Sequence, residues 1–141
     1  MLTKTSITDY LKLYDVQWKN AMPEGCPPDD VLIPQEHLFY RYTLQTDKCT
    51  DEDFKTYRQQ NPTRDWGELL PLASGLSVLD NLDKAKRNMK LPMLRSKFKG
   101  IGELMLNPND GVVKQTGAHK SHYTWWQTTA FDMNTVKMMA V

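Results

Sequence analysis

Cysteine is scarce: Cys26 and Cys49 are the only two in 141 residues. Neither belongs to a Cys-x-x-Cys pair, so a structural zinc site or a dithiol redox centre has no starting point. Two cysteines without a secretion signal read as free thiols rather than a disulfide framework. No apolar run approaches the roughly 20 residues that a bilayer-spanning helix needs. Met1-Leu2-Thr3-Lys4-Thr5 leads into no signal-peptide apolar segment. The expectation is a cytoplasmic protein with no membrane partner. No internal repeat is visible, and no recognised nucleic-acid-binding motif. Ser77, in Gly75-Leu76-Ser77-Val78, lacks the Gly-x-Ser-x-Gly setting of a hydrolase nucleophile.

What is present is ordinary globular material. Hydrophobic residues at 40% and charged residues at 25% exclude a wholly disordered chain. The length suits one domain, residues 1–141, and at this size about two-thirds of the unfolded chain's surface can be buried. The net charge of +1 hides an asymmetry. Residues 1–83 carry 8 Lys and Arg against 14 Asp and Glu, whereas residues 84–141 carry 10 against 3. Such a distribution marks either a basic binding face or two halves that neutralise each other in the fold.

Ile7, Leu11, Tyr14, Trp18 and Met22 recur at spacings of four and three, which predicts a helix over 6–22 capped by Ser6. Pro23, Pro27, Pro28 and Pro34 predict an irregular wrapping loop over 23–36. The core is expected over about 37–126. His37–Leu44 alternates as a strand, with Leu38, Tyr40, Tyr42 and Leu44 on one face and Phe39, Arg41 and Thr43 on the other. A short helix is expected over 50–60 and a strand over 75–79. Another helix, capped by Asp80 or Asn81, runs through Met89 and stops before Pro92. Gly100–Leu106 and Gly111–Thr116 read as an antiparallel pair around the turn Asn107-Pro-Asn-Asp-Gly111. Ser121–Trp126 alternates as a further strand, and a tail, 127–141, either covers an edge or frays. The predicted class is α+β: a small mixed or mostly antiparallel sheet, whole or split, with two to three helices packed on it.

The segment His119–Trp126 concentrates the chemistry. Imidazole exchanges protons near neutral pH without special tuning, which makes His122 the first catalytic candidate. In a strand, His122, Thr124 and Trp126 share one face, so Trp126 is the candidate to stack on a ring-bearing ligand, while Trp125 packs. Arg41, in the middle of an aromatic strand, can hold a carboxylate or phosphate through paired hydrogen bonds, or pair with one of the acids of the N-terminal half. Ser77 is a hydrogen-bonding candidate, and Thr116 joins the ligand-binding set. Glu103, alternating with Ile101 and Met105, is a second catalytic candidate, because a carboxylate facing a core would be a stronger base. Lys84 to Lys99 holds seven basic residues and no acid. Lys86, Arg87 and Lys90 are its candidate contacts to a nucleic-acid or protein partner, against the simpler reading of a solvated face. His119 and His122 with His37 or a cysteine would be the material for a metal site. His-x-x-His in a strand sends its side chains to opposite faces, so no metal is expected.

The order of elements over about 37–126 resembles small bacterial ADP-ribosyltransferase-like domains. Arg41 on a first core strand resembles the Arg or His with which that fold meets a dinucleotide. Gly75-Leu-Ser-Val-Leu79, followed by a helix with Ala85, resembles the short strand whose Ser supports the nicotinamide side. Gly100–Leu106 and Val112–Thr116 resemble the later strands of its split sheet. The resemblance implies a cleft between two small sheets that takes NAD or a nucleotide-like ligand. It also implies a Glu on a late strand. Here that segment reads Lys114-Gln115-Thr116, Glu103 stands on an earlier strand, and His122 and the Trp pair have no counterpart. Two functions are therefore expected to compete. One is a domain that binds or processes a nucleotide-like ligand through Arg41, Ser77, Trp126 and His122. The other is a non-catalytic protein- or nucleic-acid-binding module that uses 84–99.

Overall fold

A computed structural model describes all 141 residues. Eight strands form one sheet: β1 (Leu2–Ser6), β2 (Asp30–Pro34), β3 (His37–Thr43), β4 (Leu76–Leu79), β5 (Gly100–Leu106), β6 (Gly111–Gln115), β7 (His122–Gln127) and β8 (Lys137–Met139). Their order across the sheet is β1-β2-β6-β7-β4-β3-β5-β8, and each pairing is antiparallel. Five short helices join them: α1 (Ile7–Leu13), α2 (Tyr57–Gln60), α3 (Leu70–Ala73), α4 (Leu82–Met89) and α5 (Pro92–Lys97). The class is α+β, with more and shorter helices than the two or three expected.

The N-terminal helix is less than half the expected length. Ser6 does cap it, its hydroxyl accepting from the Asp9 N–H at 3.1 Å. Tyr14 then turns extended. The reason lies beyond the helix: Trp18 bridges to Thr128, and Lys19 N–H and Thr129 N–H exchange bonds with Gln127 O and Gln17 O at 2.9 and 2.8 Å. Strand-type bonds to the end of β7 thus displace helical ones. Tyr14, Trp18 and Met22 still cover the core that their spacing suggested, but as an irregular crossing. Residues 23–36 also depart from a plain loop. Val31 and Ile33 are buried and place β2 between β1 and β6, with the prolines gathered at its flanks.

The expected pairing of Gly100–Leu106 with Gly111–Thr116 does not form. A 3-10 turn at Pro108–Asp110, closed by a reciprocal Asn107–Asp110 capping box, redirects the chain. β6 therefore pairs with β2 and β7. β5 pairs with β3 along seven residues and, on its other side, with β8 from the tail, which covers that edge. The helix expected over 50–60 is broken in two, a 3-10 turn at Asp51–Phe54 and then α2, because Thr56 caps a new start.

Alternation along β7 divides its aromatics between layers. Tyr123 and Trp125 join Phe39, Leu76, Val78 and Leu104 in the main core. Trp126 belongs to a second cluster with Tyr10, Val31, Ile33 and Val112. A third, built on Tyr40, Leu79, Ala85 and Ile101, seats α4. No helix is long and apolar enough to cross a membrane.

Candidate functional site

Two junctions of the sheet rest on a single residue pair, Leu32↔Val113 between β2 and β6 and Tyr40↔Leu79 between β3 and β4, and the second borders a cavity. Whereas β3 pairs with β5 throughout, it meets β4 only at Tyr40↔Leu79. Past that pair the strands separate, and the guanidinium of Arg41 occupies the gap. Its Nε donates to the main-chain oxygen of Asp53 at 2.6 Å, and its Nη1 to that of Ser77 at 2.7 Å. The Asp53 carboxylate is not its partner. That group is 4% exposed and accepts from Leu44 N–H and Thr50 N–H, each at 2.8 Å. The ion pairs of the chain are Lys55–Glu52 and Lys114–Asp30, so no carboxylate lies within 4.0 Å of Arg41. The internal ion pair weighed from the sequence is absent. Burial pushes Arg41 down to about 10, and Tyr57, Asp53 and Cys49 only partly offset that.

Arg41 faces a cavity of about 370 Å³. Ser77 and His122 line the same cavity. Register explains their meeting: Ser77 pairs with Thr124 and Leu79 with His122, so all four side chains lie on one face. Arg41 alternates to the opposite face of β3 and reaches the cavity at the split. The remaining walls come from segments distant in sequence. Glu52, Asp53, Lys55 and Tyr57 supply part of them, and Leu94, Lys97 and Phe98 another part. The Phe98 ring stacks on Tyr42 with centroids 5.6 Å apart.

His122 is held in one orientation. Its Nδ1 lies 3.0 Å from the carbonyl oxygen of Thr116 and 3.2 Å from the Thr116 hydroxyl, which also meets the Thr124 hydroxyl at 2.8 Å. A carbonyl only accepts, so Nδ1 carries the proton and Nε2 keeps its lone pair. No protein group engages that Nε2. Burial and the nearby His119 hold the imidazole below its ordinary value, and the Thr116 carbonyl works the other way. Gly117, at φ +78, takes the chain past the ring, where an added Cβ would lie 3.4 Å from Nδ1. The neutral imidazole can therefore accept a proton or a hydrogen bond from whatever fills the cavity.

A second chamber of about 320 Å³ lies beside the first and shares Tyr57, Ser77 and His122 with it. Thr116 and Trp66 line this one. The Arg64 guanidinium covers the Trp66 ring at 4.1 Å.

Five of the predicted site residues lie elsewhere. Trp126 lines neither chamber. It is fully buried beneath α1, and its Nε1 donates to Pro71 O at 3.0 Å. The shared face with His122 is real, but the N-terminal segment covers the far half of that face. Glu103 lies behind the cavity wall and accepts from the Tyr40 hydroxyl at 3.1 Å. Lys86, Arg87 and Lys90 are exposed on and just after α4, outside both chambers. Tyr57 and Phe98 are outside the candidates that the sequence offers, and Lys97 is among them only as a member of the basic stretch 84–99. A Lys–Phe pair closing the basic stretch was the available signal for the last two. Nothing in the sequence marks the carbonyls of Asp53 and Ser77, since any residue supplies one. No group of three or more His, Cys, Asp or Glu side chains is arranged to hold a metal ion. No protein-family model matches the chain, and neither does any curated protein or solved structure.

Proposed function

We propose that the cavity at the split between β3 and β4 binds a small anionic, ring-bearing ligand of the nucleotide class, with NAD, ADP-ribose and mononucleotides as its first candidates. One observation carries this reading: Arg41 is a largely buried cation whose only protein partners are two main-chain carbonyls. Burying a charge without a counter-charge is costly. A phosphate arriving at the guanidinium supplies that counter-charge through short, charge-assisted hydrogen bonds. The cavity volume falls within the roughly 300–1,000 Å³ usual for small-molecule sites. Tyr40, Tyr42, Tyr57 and Phe98 give it aromatic walls for a ring.

In this reading Arg41 holds the phosphate, Ser77 orients the ligand, and His122 Nε2 accepts a proton or a hydrogen bond from it. Thr116 fixes the imidazole rather than touching the ligand. Trp126 and Glu103 have no direct part. The resemblance to ADP-ribosyltransferase-like domains points to the same ligand class through Arg41 and Ser77. The missing late-strand Glu leaves the base role in this reading to His122, whose Nε2 no protein group engages, although His119, Glu52 and Asp53 also line the cavity. The test is a thermal-shift series with NAD, ADP-ribose, adenosine monophosphate and inorganic phosphate at low salt, on the native chain and on Arg41→Gln. A ligand at about 100 times its Kd is expected to add roughly 2.7 kcal/mol to the native chain and much less to the variant. No stabilisation by any of the four would remove the reading.

A further inference from the structure

The basic stretch has a second side. α4, α5 and the residues after them set Lys86, Arg87, Lys90, Arg95, Lys97 and Lys99 in solvent. None of these is ion-paired. The inner side of the same hairpin, through Asn88, Leu94, Lys97 and Phe98, forms one wall of the Arg41 cavity. Positive charge outside any ion pair therefore runs from the outer surface of α4 past Lys97 to the guanidinium inside, where Glu52 and Asp53 are the acids of the lining. A lone mononucleotide would leave most of that charge unused.

We propose that the ligand is the end of a single-stranded nucleic acid. The terminal nucleotide enters the cavity with its end phosphate on Arg41, and the chain behind it runs out over α4 and α5. This rests on the reading of the cavity as a nucleotide site. A strand carries one negative charge per nucleotide, so its charge follows it from the hairpin into the cavity, and each cation it meets releases counterions. Lys97 Nζ lies over the Phe98 ring at 5.2 Å and Phe98 stacks on Tyr42, so a cation and aromatic rings stand together at the cavity, the pairing with which single-strand sites meet phosphates and bases. A bilayer is the rival partner, because Leu91 before α5 and Met93 in its first turn are 54% and 82% exposed. A flat lipid surface cannot follow the positive charge into the cavity, so the strand is favoured.

The experiment compares ten-nucleotide single strands, with and without a terminal phosphate at either end, against adenosine monophosphate. Vesicles of phosphatidylserine and phosphatidylcholine form a further arm. Binding is measured by fluorescence polarisation or co-sedimentation between 50 and 200 mM salt. An end-phosphorylated strand is expected to bind more tightly than both the monophosphate and the unphosphorylated strand. Charge reversal at Lys86, Arg87 and Lys90 should cut the slope of log affinity against log salt by about 2, at ~0.7 per lost contact, and leave monophosphate binding unchanged. The end-phosphate comparison uses the native chain, so it stands even if Arg41→Gln folds poorly. If the monophosphate binds and the strand binds no more tightly, the inference is overturned while the cavity reading survives. Strand binding that ignores the end phosphate, with no monophosphate binding, overturns both. Vesicle binding without strand binding also overturns the inference, in favour of a lipid surface.

Discussion

Arg41 Nη1 and the main-chain oxygen of Ser77 lie 2.7 Å apart across a gap where β3 and β4 have ceased to pair. One side chain thus stands in for missing sheet hydrogen bonds and also presents a cation to the cavity. Arg41→Lys keeps the charge but cannot span both the Ser77 and Asp53 carbonyls. It is expected to cost about 1–3 kcal/mol of stability, since at least one carbonyl loses its donor, and to weaken phosphate binding. Urea unfolding and a phosphate thermal shift on the same samples check the two effects separately.

His122 makes stability depend on pH. Its folded value is lowered by burial, so protons bind the unfolded chain more readily. The stabilisation it contributes is complete above its unfolded value, near ~6.5, and is lost as pH falls through the lower folded value. His37, lowered by burial and by the N-terminal ammonium, acts in the same direction. The stability difference between the native chain and His122→Gln should therefore shrink on going from pH 7.5 to pH 5. An NMR titration should show a midpoint for His122 below that of a free histidine. A midpoint at or above 6.5 would contradict the burial argument.

Trp126 separates packing from binding. Trp126→Ala should cost about 3–5 kcal/mol, as large-to-small changes in a closed core do. If the variant folds at low temperature, its affinity for the cavity ligand should equal that of the native chain. A selective loss of affinity would mean that the ring communicates with the cavity after all.

The cysteines should be slow to alkylate. Burial pushes both Cys26 and Cys49 up to about 11. With free thiols near ~8.5, the thiolate fraction at pH 7.5 falls on the order of a hundredfold. Iodoacetamide should modify both residues readily in urea and slowly in the native protein, as followed by intact mass. Rapid native labelling of either residue would show that its pocket opens.

Local periodicity determined a good deal of this protein by itself. The alternation of His37–Thr43, the cap at Asn81 with its helix to Met89, and the turn around Pro108 are short-range patterns, and the chain realises them. Arg41, Ser77 and His122 were also legible as candidates, because an Arg within an aromatic strand and a His beside Trp residues are unusual on local grounds. Tertiary structure decided everything that depends on which strands meet. A 3.6-residue repeat over 6–22 suits a helix and also an extended crossing, and hydrogen bonds to the end of β7 chose the crossing. Trp126 shares a face with His122, yet only the packing of α1 reveals that half of that face is closed. The same holds for the segment His119–Trp126 as a whole. Sequence marks its imidazole, while the split between β3 and β4, made of main-chain pairing that no residue type encodes, sets Arg41 beside it.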